Sequence, residues 1–285
     1  MLVEAVKDCP RDDWPLITTA KRYWLPELTA NADDPDALTL VFLHSTSFHK
    51  ETWEPSIETL LVLSARSRNK VKIREAWSLD CPNHGEAGHL NEPVLNERAF
   101  RNNCAFFSPA GPSHLNKLRS ILVRGAHERR DVWPDRERAM IALRRRERTA
   151  KWDPRILDLF VKYAVVPHPG SYEKETPYLG VTLACTRDQE AAMYRDADGP
   201  TKPVEDLKKV CRAIPVHMIL AGVNDFIPAR VHAAILDPKY GGVYASVRKV
   251  EGVGHLIPQE APDQLAVIIY EALSGKSSTL AKSKL

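Results

Sequence analysis

The chain has few cysteines, and none is spaced to staple the fold or to ligate a metal. Cys9, Cys81, Cys104, Cys185 and Cys211 are odd in number and widely separated, with no C-x-x-C. Such a set argues against a disulfide framework or a zinc site and fits a reducing compartment. No run reaches the ~18 consecutive apolar residues of a membrane helix, so no membrane span is expected. No G-x-G-x-x-G follows a strand, which removes the nicotinamide and flavin fingerprint. The 10 histidines never recur four apart on a helix, so neither a metal site nor any other cofactor is expected. Charge of one sign is not in excess either: the net charge is +3, which gives no reason to expect a nucleic-acid partner. Residues 1–15 carry Glu4, Lys7, Asp8, Arg11, Asp12 and Asp13 without an apolar core and do not read as a signal peptide. There is no internal repeat, and only the C-terminal tail is of low complexity.

At 285 residues, 44% hydrophobic and 27% charged, the chain lies where a single core stops growing. One large domain with an insertion is expected. Residues 37–43 (ALTLVFL) form a continuous apolar run, the pattern of a parallel strand buried on both faces. Trp53, Ile57, Leu60, Leu61 and Ser64 follow at helical spacing, and residues 71–79 read as a second strand. Strand, helix, strand makes a βαβ unit with a right-handed crossover. The middle is helical: residues 115–130, then a helix entered through Pro134 and running to about residue 148, then one capped by Asp153 with Ile156, Leu157, Phe160 and Tyr163 on one face. Three helices with no strand between them predict an inserted cap, at about residues 113–200. Strands return at 214–220 and 244–250, and a terminal helix spans 263–273.

His44, Asp225 and His255 each sit just after a predicted strand, where open parallel sheets bind ligands. Asp225 followed by His255 gives a carboxylate to fix an imidazole tautomer and an imidazole to move a proton. The loop His44, Ser45, Thr46 would offer backbone N–H groups to a developing oxyanion, Thr46 first among them. Between Arg124 and Arg148 lie nine arginines and five acids. That segment reads first as a solvated helix face with i,i+4 pairs, the alternative being a site for an anionic group such as a coenzyme A phosphate.

The segments LVFLHSTSFHKETW, LDCPNHGEAG, GVNDFIP and VEGVGHLIPQEAP, in that order, resemble the α/β-hydrolase superfamily. More narrowly, RDDWPLITTAKRYW, HSTSFHKETWEP and GAHERRDVWP are similar to peroxisomal fungal hydrolases of host-selective toxin clusters that make an epoxy-decatrienoic acid moiety. The likeness covers roughly residues 10–90 and 108–270. It implies a hydrolase of an ester or acyl thioester, with His255 and Asp225 as catalytic base and acid and a small acyl molecule as substrate. The superfamily's nucleophile sits in G-x-S-x-G, and this chain has no such motif. The interval 86–107 would have to hold two helices and two strands, about 36 residues at mean lengths, and cannot. Cys104 and Ser108 are the weak candidates near that place; Ser113 and Cys81 read as turn or loop residues.

The expected fold is therefore α/β: an α/β-hydrolase-like, mostly parallel sheet with an inserted helical cap, missing the nucleophile-elbow strand and helix. Residues 1–275 would form that single domain and 276–285 a flexible tail. The tail ends in Ser283-Lys284-Leu285, which reads as an address for the peroxisomal import receptor. The second functional reading is a pseudo-hydrolase that keeps the fold but only binds a ligand or partner.

Overall fold

The computed structural model describes residues 1–8, 15–67, 70–95, 112–172, 178–196, 202–239 and 242–275. Cys9, Cys104, Ser108 and the Ser283-Lys284-Leu285 tripeptide lie outside the described residues.

The chain opens with an antiparallel hairpin, β1 (Leu2–Asp8) and β2 (Thr18–Trp24). Then comes the expected βαβ unit: β3 (Leu38–Leu43), α1 (Glu54–Arg66) and β4 (Ile73–Leu79). β3 pairs parallel with one edge of β4, and β2 pairs antiparallel with the other, giving the order β1-β2-β4-β3. α2 (Gly85–Asn91) and α3 (Pro112–Glu128) lead to an excursion of short pieces. These are β5 (Val132–Trp133), α4 (Arg136–Arg144), α5 (Pro154–Tyr163), β6 (Val165–Pro167), β7 (Val181–Leu183) and α6 (Arg187–Arg195). α7 (Lys202–Ala213) returns the chain to β8 (His217–Ala221), α8 (Ala229–Leu236) and β9 (Ser246–Val250), with β8 and β9 parallel. A single turn, α9 (Ile257–Glu260), precedes α10 (Pro262–Leu273).

The excursion corrects the all-helical expectation. β5, β7 and β6 form a small antiparallel sheet inside it. Strands of two or three residues carry too little alternation to show a period. The entry to α4 also differs from the expected one. Pro134 does not start the helix; it disfavours helical backbone at the residue before it, and Trp133 is extended and buried in β5. The helix starts two residues later, at Arg136, after the Asp135 cap whose side chain accepts the Arg138 N–H at 2.7 Å. α5 follows the sequence closely: Asp153 accepts the Arg155 N–H at 2.9 Å, and Ile156, Leu157, Phe160 and Val161 are buried on one face.

The apolar run of β3 is a strand but is not buried on both faces: Val41 is 61% and Leu43 66% exposed. Among the described residues β3 has a neighbour only on its β4 side, and β8 only on its β9 side, so no strand joins the two sheets. Helices bridge them instead. α1, which covers the first sheet, packs along α10, which follows the second. The Ser56 hydroxyl donates to the Pro262 carbonyl at 3.0 Å, and the Thr59 hydroxyl to Asp263 at 2.6 Å. One core clusters around Tyr23, Ile57, Leu60, Leu61 and Ile73; another lies in the excursion around Trp133, Trp152, Ile156 and Phe160.

One cation is buried under the first sheet. The Lys50 side chain has no exposed surface. Its ammonium donates to Asp80 Oδ2 (2.7 Å), Glu86 Oε2 (3.1 Å) and Thr19 Oγ1 (3.2 Å), which uses all three donors. Burial opposes its charge, but Asp80, Glu51 and Glu86 outweigh burial and hold its pKa above the ordinary value. Removing one partner of such a set leaves an uncompensated buried charge. Lys50→Ala is therefore expected to cost about 3–5 kcal/mol in urea unfolding. A loss within about 0.5 kcal/mol, the range of a surface substitution, would show that the network is not structural.

Candidate functional site

All four strands that carry sequence-predicted site residues end at the same edge of the fold. His44 follows β3, Cys81 follows β4, Asp225 follows β8 and His255 follows β9. The last two are brought together by the parallel β8–β9 ladder, which sets Ala221 opposite Val250. The loops beyond continue it: Gly222 N–H donates to the Val250 carbonyl at 2.8 Å, and Val223 N–H to the Val253 carbonyl at 2.9 Å.

His255 Nδ1 lies 2.8 Å from Asp225 Oδ2, and the His255 backbone N–H lies 3.3 Å from both carboxylate oxygens. The carboxylate thus favours the Nδ1–H tautomer, which puts the acceptor lone pair on Nε2. Burial raises the Asp225 pKa, but the His255 hydrogen bond and the backbone N–H groups of Phe226 and His255 outweigh it and hold the carboxyl below its ordinary value. Phe226 also packs on the imidazole with ring centres 5.1 Å apart. Gly254 makes this approach possible. A Cβ there would collide with the Asp225 carboxylate and come within 2.8 Å of Glu260 Oε1.

The dyad opens on a cavity of about 860 Å³, within the usual range for small-molecule sites. Phe48, Trp133, Trp152, Phe160 and Phe226 supply aromatic wall, and His44, Ser45, Thr46, Ser47 and Cys81 line it near the strand ends. Two buried imidazoles hold this rim. His44 Nδ1–H donates to the Ser45 carbonyl at 2.8 Å, and its Nε2 accepts the Cys81 N–H at 3.0 Å. His84 Nε2 accepts the Ser47 N–H at 2.8 Å, and its Nδ1–H donates to Asn83 Oδ1 at 2.8 Å. Ser47 is the one described non-glycine residue with a left-handed backbone, φ 75°, and its hydroxyl donates to Glu190. Glu190 in turn pairs with Arg129.

The predicted Asp225–His255 pair is thus assembled, and the predicted loop 44–46 lies on the same cavity. Among the described residues no serine, threonine or cysteine is hydrogen-bonded to His255. Cys81, expected in a structural loop, lines the cavity. Phe226, Glu190 and Tyr194 line it too, at positions set by long-range packing that no local pattern shows. No cluster of three or more potential metal ligands occurs among the described residues. Nor is any described helix long and apolar enough to cross a membrane.

The buried imidazoles make stability depend on pH. Burial pushes His44 below its ordinary pKa of 6.5, and pushes His84 well below it. The unfolded chain then binds more protons than the folded one below about pH 6.5, so stability is intact above that pH and is lost as pH falls towards the folded values. Urea unfolding should give a lower stability at about pH 5.5 than at about pH 7.5, and His84→Gln should shrink the difference. An unchanged difference in that variant would remove His84 from this role.

No protein-family model matches the chain, and no curated protein is similar to it in sequence. Solved structures are similar in fold. A peroxisomal α/β-hydrolase from Saccharomyces cerevisiae superposes with a TM-score of 0.62 at 16% identity, over 100% of this chain and 91% of that one. An esterase of M. tuberculosis gives 0.57 at 14%, over 96% and 92%. A thioesterase domain from the curacin biosynthetic pathway gives 0.56 at 10%, over 94% and 99%. At these identities the likeness is one of fold, and the fold is that of the α/β-hydrolases.

Proposed function

We propose that this chain is a hydrolase-type protein that cleaves an ester or acyl thioester, with His255 as the base and Asp225 as the acid that orients it. The observation that carries this reading is the Asp225–His255 pair, at 2.8 Å, opening on a largely aromatic cavity. Because no described hydroxyl or thiol is bonded to the imidazole, the attacking group in this proposal is water. His255 Nε2 takes a proton as water adds to the acyl carbon. The tetrahedral adduct then expels the alcohol or thiol, to which His255 returns the proton, leaving the free acid. The loop His44-Ser45-Thr46 is the proposed oxyanion cradle, and the excursion at about 113–200 the proposed cap. That an esterase and a thioesterase domain are among the similar folds is consistent with this substrate class.

The second reading, a ligand-binding pseudo-hydrolase, is favoured by one observation: neither a G-x-S-x-G nor a described nucleophile accompanies the dyad. The two separate cleanly. Hydrolysis of a p-nitrophenyl ester and of an acyl thioester is expected, with His255→Ala lowering the rate about 10²–10⁴-fold. Asp225→Asn should act in the same direction. Fluorophosphonate should not label the protein if water attacks, and labelling would identify a covalent nucleophile instead. Cooperative unfolding with no His255-dependent turnover would establish the binding-only reading.

We also propose, from the toxin-cluster segments and Ser283-Lys284-Leu285, a peroxisomal role in making a secondary-metabolite acid, with the import receptor as partner. One of the similar folds is a peroxisomal protein, which is consistent with this. A fluorescent protein fused ahead of residue 1 should collect in peroxisomes of fungal cells and become diffuse when the tripeptide is removed. Unchanged peroxisomal signal after that removal would reject the address.

A further inference from the structure

The cavity wall is aromatic and aliphatic on most sides, but one side carries more positive charge than the described residues neutralise. Arg129, Arg146 and Arg148 all line it. Arg129 is matched: it pairs with Glu190 and donates to the Cys185 carbonyl at 2.8 Å. Arg146 is not. Its one hydrogen bond among the described residues goes to the Arg130 carbonyl at 3.1 Å, and it has no carboxylate partner among them. Burial, and then the neighbouring Arg129 and Arg130 guanidiniums, act against its charge. Arg148 makes no ion pair or hydrogen bond among the described residues and reaches the cavity from an exposed position. The carboxylates on the cavity are committed elsewhere, Glu190 to Arg129 and Asp80 to Lys50. Two guanidiniums therefore face an apolar space without a counterion among the described residues.

A half-buried guanidinium beside like charges is unfavourable unless an anion answers it, and the planar fork suits carboxylate and phosphate oxygens. The indole and phenyl walls of Trp133, Trp152 and Phe160 suit an extended hydrocarbon. We infer that the cavity selects an amphipathic anion: an apolar chain lodged among the aromatic residues and a single anionic head held by Arg146 and Arg148. This deepens the hydrolase reading by naming the charge that its substrate or released acid carries, and it rests on the same cavity. It gives part of the arginine-rich 124–148 segment a binding role, where the sequence pattern read first as a solvated helix face.

The test measures binding, so it does not depend on turnover. Calorimetric titrations would use dodecanoate, dodecyl phosphate and dodecanol as probes, with the full chain and with its His255→Ala variant. Both anions are expected to bind at least about tenfold more tightly than the alcohol, with or without His255. Arg146→Gln/Arg148→Gln should erase that preference and leave dodecanol affinity unchanged. The stronger of the two anions identifies the head group as carboxylate or phosphate. Equal affinity for all three probes, or a preference that survives the double substitution, would overturn the inference. If the double variant does not unfold cooperatively, Arg148→Gln alone, at an exposed position, serves in its place and should weaken both anions but not dodecanol. An anion preference in a protein without esterase activity would leave this inference standing and reject the hydrolase reading alone.

Discussion

The carboxylate of Asp80 is the point on which the site side of the fold is hung. It accepts the Thr19 hydroxyl from β2 (2.9 Å), the backbone N–H and the ammonium of Lys50 from the turn before α1 (2.7 Å each), and the Glu86 N–H of α2 (3.1 Å). A buried carboxylate with fewer donors would be costly, since desolvation takes several kcal/mol per ion. With these donors it fixes four segments to one another. The loop after β3 is thereby held at both ends, by the β3–β4 ladder on one side and by Lys50 on the other. Gly85 is required for the same reason: it has φ +53°, and a Cβ would sit 2.5 Å from Asp80 Oδ1. The imidazoles of His44 and His84 then tie the rim of the cavity to this anchored frame.

The Asp225–His255 pair is held differently. Both side chains are partly exposed, at 30% and 19%, and a pair in that setting contributes only about 0–1 kcal/mol. Its geometry is therefore imposed by backbone: the parallel ladder of β8 and β9, the two loop hydrogen bonds beyond it, and the absence of a side chain at Gly254. The site joins a rim fixed by buried charge to a dyad fixed by strand pairing. α1 and α10, packed on each other, set the distance between the two.

What the sequence made legible follows from how local the signals are. The βαβ unit, the strands leading to Asp225 and His255, and the Asp153 cap of α5 rest on apolar runs and cap chemistry within a few residues. The hairpin of β1 and β2 did not show, because β1 is an exposed edge strand whose Glu4, Lys7 and Asp8 are solvated there. The two- and three-residue strands around Trp133 and Leu183 form only through pairing at a distance along the chain, Val132 with Thr182 and Val165 with Leu183. The committed role of Asp80 in Asp80-Cys81-Pro82 was equally hidden, since its partners come from Thr19, Lys50 and Glu86. The pairing of Asp225 with His255 was legible from their places after successive strands; the charge imbalance of the cavity was not, because it depends on which arginines have no acid beside them among the described residues.

Among the described residues no strand joins the two sheets, and no side-chain hydroxyl is bonded to His255. The described parts of the two halves are each anchored without a ladder between them. One half is anchored by the Lys50–Asp80 network, the other by β9, Val253, Ile257 and Leu265, and the α1–α10 contact closes the gap. The chemistry is constrained in turn. In the proposed reaction His255, whose Nε2 is engaged by no described side chain, acts on what enters the cavity, so the position of the bound acyl group relative to it is set by the cavity wall and the arginines rather than by a bond to the protein.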